Sequence, residues 1–145
     1  MKTFTLLLTA TFFIIYTSAA IAQPEQKPFK GTYVNDEHQF SLTLNLYEND
    51  LEAPGFSFLG KMGGYLHGRG IYGTWFLTEH QKKKKKATLR MSNDSGSDAQ
   101  TIEFTQLTDS TFSYRTIGGN EIKKAKGQKL VKTASQMIFK RTSYR

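Results

Sequence analysis

The chain has 145 residues, with 20 Lys and Arg against 12 Asp and Glu and no cysteine. A length like this holds one hydrophobic core rather than two. Without cysteine there are no disulfides, thiolate metal sites, iron–sulfur clusters or cysteine nucleophiles, and no acyl anchor on a cysteine is expected. The net charge of +8 makes an anionic partner worth weighing.

Residues 1–22 read as a secretory address. Lys2 is a short positive start, residues 4–16 are an almost uncharged apolar run, and Ala20-Ile21-Ala22 is a cleavage site of the A-x-A type. The run covers about 13 residues, short of the roughly 20 needed to span a bilayer. Cleavage is expected between Ala22 and Gln23. An N-terminus with Gln directly after that site resembles signal peptides of Bacteroidota, which implies a periplasmic or secreted protein of a Gram-negative cell. The expected organisation is then a cleaved signal peptide over 1–22, a polar lead-in over 23–28 and a single domain over 29–145, with no further membrane span.

Downstream the pattern is that of short strands. Residues 30–35 form a first strand. Residues 39–47 alternate Phe40, Leu42, Leu44 and Leu46 with Ser41, Thr43 and Asn45, which is the period of a half-buried strand. Residues 48–50 and Pro54-Gly55 are turns. Strand pieces follow at 56–59 and 65–67, then strands at 71–78, 87–91, 101–107, 111–116, 121–123 and 136–141. Thr108-Asp109-Ser110 and Gly118-Gly119-Asn120 read as tight hairpin connections. The only helical candidate is 128–133. Eight to ten short strands with short connections predict an all-β antiparallel meander, and a meander of this length closes on itself to remove its edges. Residues 29–34 and 71–76 share the pattern apolar-x-Gly-Thr-aromatic-apolar, an echo that either marks two equivalent strands or arises by chance.

Gly31-Thr32-Tyr33 on the opening strand, followed by a meander over 29–141, resembles the lipocalin-like (calycin) barrels. Tyr33 stands where true lipocalins have Trp. The resemblance implies a shape: an up-and-down barrel that is filled by side chains or holds one small ligand. The copper-linked roles of one similar lipoprotein family do not carry over, because this chain has no cysteine.

Alternation places Phe40, Leu42, Leu44, Leu46, Trp75, Leu77, Leu89, Ile102, Phe104, Phe112, Tyr114, Met137 and Phe139 inside, a bulky set that favours a packed interior. It turns Arg90 and Arg115 outward and leaves no arginine inside to hold a buried carboxylate.

The chemistry-bearing motifs are thin. Gly68-Arg69-Gly70-Ile71-Tyr72-Gly73 matches G-x-G-x-x-G, but a β-branched and aromatic run follows where a dinucleotide site needs a helix. His38, His67 and His80 lack metal-ligand spacing and are expected at the surface or in turns. The carboxylate pairs Asp36/Glu37 and Asp50/Glu52 fall in solvated turns. The triplets Asn93-Asp94-Ser95 and Asp109-Ser110-Thr111 match short glycosylation patterns, for which chance suffices. No nucleophile elbow or H-E-x-x-H is present, so a non-enzymatic protein without a cofactor or metal is expected.

Charge is the uneven feature. Residues 23–114 carry 10 Lys and Arg against 11 acids, whereas 115–145 carry 9 against Glu121 alone. Lys82, Lys83, Lys84, Lys85 and Lys86 form a second cluster at an expected hairpin tip. As candidate polyanion contacts these five join Lys123, Lys124, Lys126, Lys129 and Lys132. Three functions remain in view. The first is a barrel binding a small apolar ligand. The second is an envelope interaction protein docking a basic C-terminal face on an anionic surface or acidic partner. The third, with least support, is a small hydrolase. Nucleic acid is a poor fit to the address and to the missing stacking motifs, and a monomer is expected.

Overall fold

The computed structural model describes residues 26–142. The address, its cleavage site at Ala22 and Gln23, and the start of the lead-in lie outside the described residues.

Ten strands follow one another: β1 Lys30–Asn35, β2 Phe40–Asn45, β3 Gly64–Gly68, β4 Trp75–Lys82, β5 Lys86–Asn93, β6 Ala99–Gln106, β7 Thr111–Gly119, β8 Lys123–Lys126, β9 Lys129–Lys132 and β10 Gln136–Thr142. Eight of them close into an antiparallel barrel in the order β1-β10-β7-β6-β5-β4-β3-β2, while β8 and β9 pair as a separate hairpin. The all-β meander read from the sequence is therefore the observed architecture. Closure needs the chain ends to meet, and β10 supplies that by pairing Thr32 with Thr142, Tyr33 with Arg141 and Val34 with Lys140.

Several local expectations are corrected. Residues 57–59 form a single 3-10 turn, not a strand. The fourth strand starts at Trp75 rather than at 71, because Gly70 and Gly73 adopt positive φ and hold 69–74 as a loop. The echoed segments are therefore not equivalent: Gly31 sits within β1 and Gly73 before β4. Gly118 and Gly119 lie in β7 rather than in a turn. The piece at 121–123 shifts to 123–126, and the helical candidate at 128–133 is strand β9. Its turn is Gly127-Gln128, with Gly127 at φ 62°, a two-residue hairpin connection.

Nineteen buried apolar side chains form one core. Every residue assigned to the interior by alternation is among them, joined by Phe29, Tyr33, Leu66, Ala87, Met91 and Ile122. Aromatic rings dominate the middle: Tyr33 stands edge-on to Phe104 and Phe112 at 5.1 and 4.7 Å, and Phe104 stacks on Phe112 at 5.1 Å. Each such ring contributes about 1.5–3 kcal/mol by leaving water.

The strand directions define two ends. The upper end holds the β4–β5 tip, the β6–β7 turn and the 46–63 connection; the lower end holds the β1–β2 turn, the 69–74 loop and the β8–β9 hairpin. Phe29 and Leu46 plug the upper end, and Ile122 plugs the lower one. A bulge at Thr78 reverses side-chain parity in β4, so His80 pairs with inward Leu89 and Lys82 with inward Ala87. Both then meet the 46–50 loop at the upper rim, where His80 Nε2 lies 3.0 Å from Asn49 Oδ1 and Lys82 Nζ lies 4.8 Å over the Tyr47 ring.

Arg90 and Arg115 face outward as alternation requires. The expectation of no inward arginine fails at Arg141, which shares parity with Phe139. Its guanidinium lies 5.5 Å from the Tyr33 ring centre and 5.3 Å from that of Phe112, and it donates to the Lys27 and Pro28 carbonyls and to the Tyr33 hydroxyl. It acts as a cap tying the last strand to the segment that enters the first. Among the described residues, no helix is long and apolar enough to cross a membrane.

Candidate polyanion-docking surface

The two lysine clusters do not share a face. After the tip at 83–85 the chain descends β5, ascends β6 and descends β7, so an odd number of passes delivers it to the other end. Lys82–Lys86 therefore stand at the upper end and Lys123–Lys132 at the lower end.

At the upper end, two of the five lysines have local partners. Lys82 covers Tyr47, and Lys86 Nζ lies 3.0 Å from Glu103 Oε2. Glu103 also receives Arg115 at 2.8 Å, and the two cations hold its carboxyl below the usual range, Arg115 most strongly. Lys83, Lys84 and Lys85 form the exposed tip.

At the lower end, β8 adds to the 70–72 segment. Tyr72 N donates to Lys123 O at 2.9 Å, Ala125 N donates to Gly70 O at 2.8 Å, and Ile71 opposes Lys124. The hairpin is tethered by the buried Ile122 side chain, and Ile122 O accepts from Thr133 N at 2.8 Å and Thr133 Oγ1 at 2.9 Å. Direct opposition puts Lys124 and Val131 on one face, and Lys123 and Lys132 on the other. Lys124 turns toward the barrel, donating to His38 O and covering the Phe40 ring at 5.5 Å. Lys132 lies 3.4 Å from Glu121. Lys123, Lys126 and Lys129 show no ion-pair partner among the described residues.

The basic last quarter is thus not one face. Arg115 is ion-paired on the barrel wall, Arg141 caps the upper interior, and the hairpin carries five of the remaining lysines. Sequence reasoning missed Arg69, which joins Lys124, Lys126 and Lys132 around an open groove of about 440 Å³ between the hairpin and the β1–β2 turn. It also missed Tyr72, Leu130 and Val131 as exposed neighbours of the lysines. The available signal was Lys-Gly-Gln-Lys, a glycine-first two-residue loop between charged ends.

A larger open cleft of about 590 Å³ runs beside β10, between Val34–Glu37 and Met137–Ile138. It exists because β1 ends while β10 continues; the Asn35 side chain spans the gap, donating to Ile138 O at 2.8 Å.

The remaining motifs have structural employment. Gly68 packs where a Cβ would stand 2.5 Å from Gln39 O, and Gly73 where it would stand 2.7 Å from Asp94 Oδ1. Asp94 in turn accepts from Thr74 N at 3.2 Å, so the glycine run is a loop-to-strand turn, with no helix after it. His38 lies in a turn, whereas His67 and His80 lie in strands. No group of three or more His, Asp or Glu suited to a metal ion forms among the described residues. Asn93 is buried and its amide closes its own turn, donating to Ser97 Oγ at 3.0 Å and accepting from Asp98 N at 3.1 Å. Ser110 sits in the exposed β6–β7 turn.

No family model matches the chain, and no curated protein matches it. Among solved structures, the barrel is similar to the crystal structure of Tp0751 (Pallilysin) from Treponema pallidum, with a TM-score of 0.50 over 84% of this chain and 83% of that one, at 8% identity. That likeness is one of fold alone.

Proposed function

We propose that this chain is an extracytoplasmic, non-enzymatic interaction protein on a lipocalin-like barrel, which docks its lower end on an anionic envelope surface or acidic partner. The observation that carries this reading is the β8–β9 hairpin: five lysines on eight paired residues, projecting from the barrel and anchored through Ile122. The address at 1–22 supports the location. The apolar-ligand reading draws no comparable support, since the interior positions meant for a ligand are occupied by core side chains.

The test is retention of the mature protein on an acidic polysaccharide resin. Binding should weaken steeply with salt, as charge contacts do once the screening length falls toward about 8 Å. Exchanging Lys123, Lys126 and Lys129 for Glu together should abolish retention, while the same exchange at Lys83, Lys84 and Lys85 should leave most of it. Salt-independent binding, or equal loss from both triple variants, rejects this assignment.

A further inference from the structure

We infer that the surface met by the lower end is an anionic phospholipid bilayer, and that the outer face of the three-stranded patch formed by residues 70–72, β8 and β9 lies against it. This rests on the docking reading above and commits it to one partner.

The face follows from register. Ile71 opposes Lys124, so Tyr72 stands beside Lys123, which in turn opposes Lys132; two residues along, Ala125 opposes Leu130. Opposed residues of an antiparallel ladder share a face. The outer face therefore carries Tyr72, Leu130 and Ala125 together with Lys123 and Lys132, while Lys124 and Val131 lie on the opposite face, Lys124 against the barrel and Val131 along the open groove and 44% exposed. Tyr72 is 54% exposed and Leu130 49% exposed. An acidic protein or polysaccharide would call for the lysines alone. A tyrosine and a leucine held in water on a lysine-rimmed face match the membrane interface, where a phenol sits at headgroup depth, an aliphatic side chain enters the acyl boundary and lysines reach anionic headgroups. The patch lies at one end of the barrel and the 83–85 tip at the opposite end, so the two lysine clusters do not compete for one surface.

The experiment uses mature protein and co-sedimentation with phosphatidylcholine vesicles, with and without about 30% phosphatidylglycerol. Binding is expected only with the anionic lipid. Leu130→Ser combined with Tyr72→Ser should weaken vesicle binding by roughly tenfold or more while leaving retention on the acidic polysaccharide resin unchanged. Both sites are exposed, and an unchanged near-ultraviolet circular dichroism spectrum is the check that the variant folds. Trp75 is the sole tryptophan and is buried, so Leu130→Trp adds a readable probe, expected to be quenched by brominated lipid. Resin binding without vesicle binding would overturn the bilayer and leave the docking reading standing; loss of both would overturn both. Vesicle binding indifferent to Leu130 and Tyr72, or abolished by reversing Lys83, Lys84 and Lys85, would also overturn it.

Discussion

Arg141 shows how one side chain can close a barrel. A charge at an inward position is costly unless it is paired with acceptors, and here one terminal nitrogen, Nη2, reaches two carbonyls and the Tyr33 hydroxyl while the plane covers Tyr33 and Phe112; Nε is buried without a partner among the described residues. Truncation would remove the charged donor and uncover the rings, while Pro28 O keeps the Tyr33 hydroxyl and Lys27 O keeps Lys30 N. Arg141→Met is expected to cost about 1–3 kcal/mol, read from the urea midpoint at unchanged slope. Arg141→Lys should recover only part of it, since an ammonium lacks the plane that covers both rings. At the same end Glu48 gathers Lys30 at 2.6 Å, Asn45 at 2.7 Å and Lys27 at 3.4 Å, with Lys30 the strongest influence. These hold its carboxyl at about 2 against an ordinary 4.5. A depressed carboxyl stabilises the fold above its unfolded value and loses that contribution as pH falls from 4.5 toward 2. The melting temperature of the native chain should therefore drop over that window more than that of Glu48→Gln. Parallel pH profiles for the two proteins would reject the assignment.

At the scale of the element, the β8–β9 hairpin depends on its anchor. A two-stranded hairpin is marginal alone, and both strands of this one are largely solvated. What fixes it is Ile122, buried in the core, with Thr133 bonded back to the Ile122 carbonyl. Ile122→Ala should cost about 2–4 kcal/mol, and amide exchange should accelerate first in residues 123–132, which would then lose their fixed placement at the lower end. Uniform acceleration across the barrel would mean that the hairpin does not depend on this contact. The same absence of burial explains why the hairpin was hidden in the sequence. Strands such as β5 and β6 announce themselves because one face is buried and the period of two is written in hydrophobicity. Strands β8 and β9 bury neither face fully, so no alternation is written, and Lys129–Lys132 resembles a helical fragment as much as a strand. The bulge at Thr78 was hidden for a different reason: the residues that use the parity change, His80 and Lys82, find their partners in Asn49 and Tyr47, some 30 residues away. Charge was legible as a count, but its division between two ends depends on how many strands lie between the clusters.

For the whole molecule the decisive contact is one between strands far apart in sequence, β1 and β10. Strands β2 to β7 pair with sequence neighbours, which needs only local turns. The ring closes only when β10 reaches across to β1, joining residues some 110 apart through three registered pairs, the Asn35–Ile138 bond and the Thr142 Oγ1–Thr32 carbonyl bond. Closing so long a loop must precede the reward of the contacts it makes, so refolding is expected on the millisecond-to-second scale of non-local β topologies. A second seam is thin as well, with β3 and β4 sharing two registered pairs, but the 46–63 connection supports it from outside by laying Phe56 against Phe76 at 5.0 Å. Among the described residues the β1–β10 seam has no such cover, and it borders the cleft beside Ile138. Removing residues 136–145 would therefore take away Met137 and Phe139 from the core and the Arg141 cap, and would expose the edges of β1 and β7 together. Unpaired edges next to an opened apolar interior recruit other chains. The truncated protein is expected to lose cooperative thermal unfolding and near-ultraviolet circular dichroism, and to associate in light scattering. A truncated chain that stays monomeric and melts in one sharp transition would show instead that seven strands suffice, and that β10 merely decorates a core already complete.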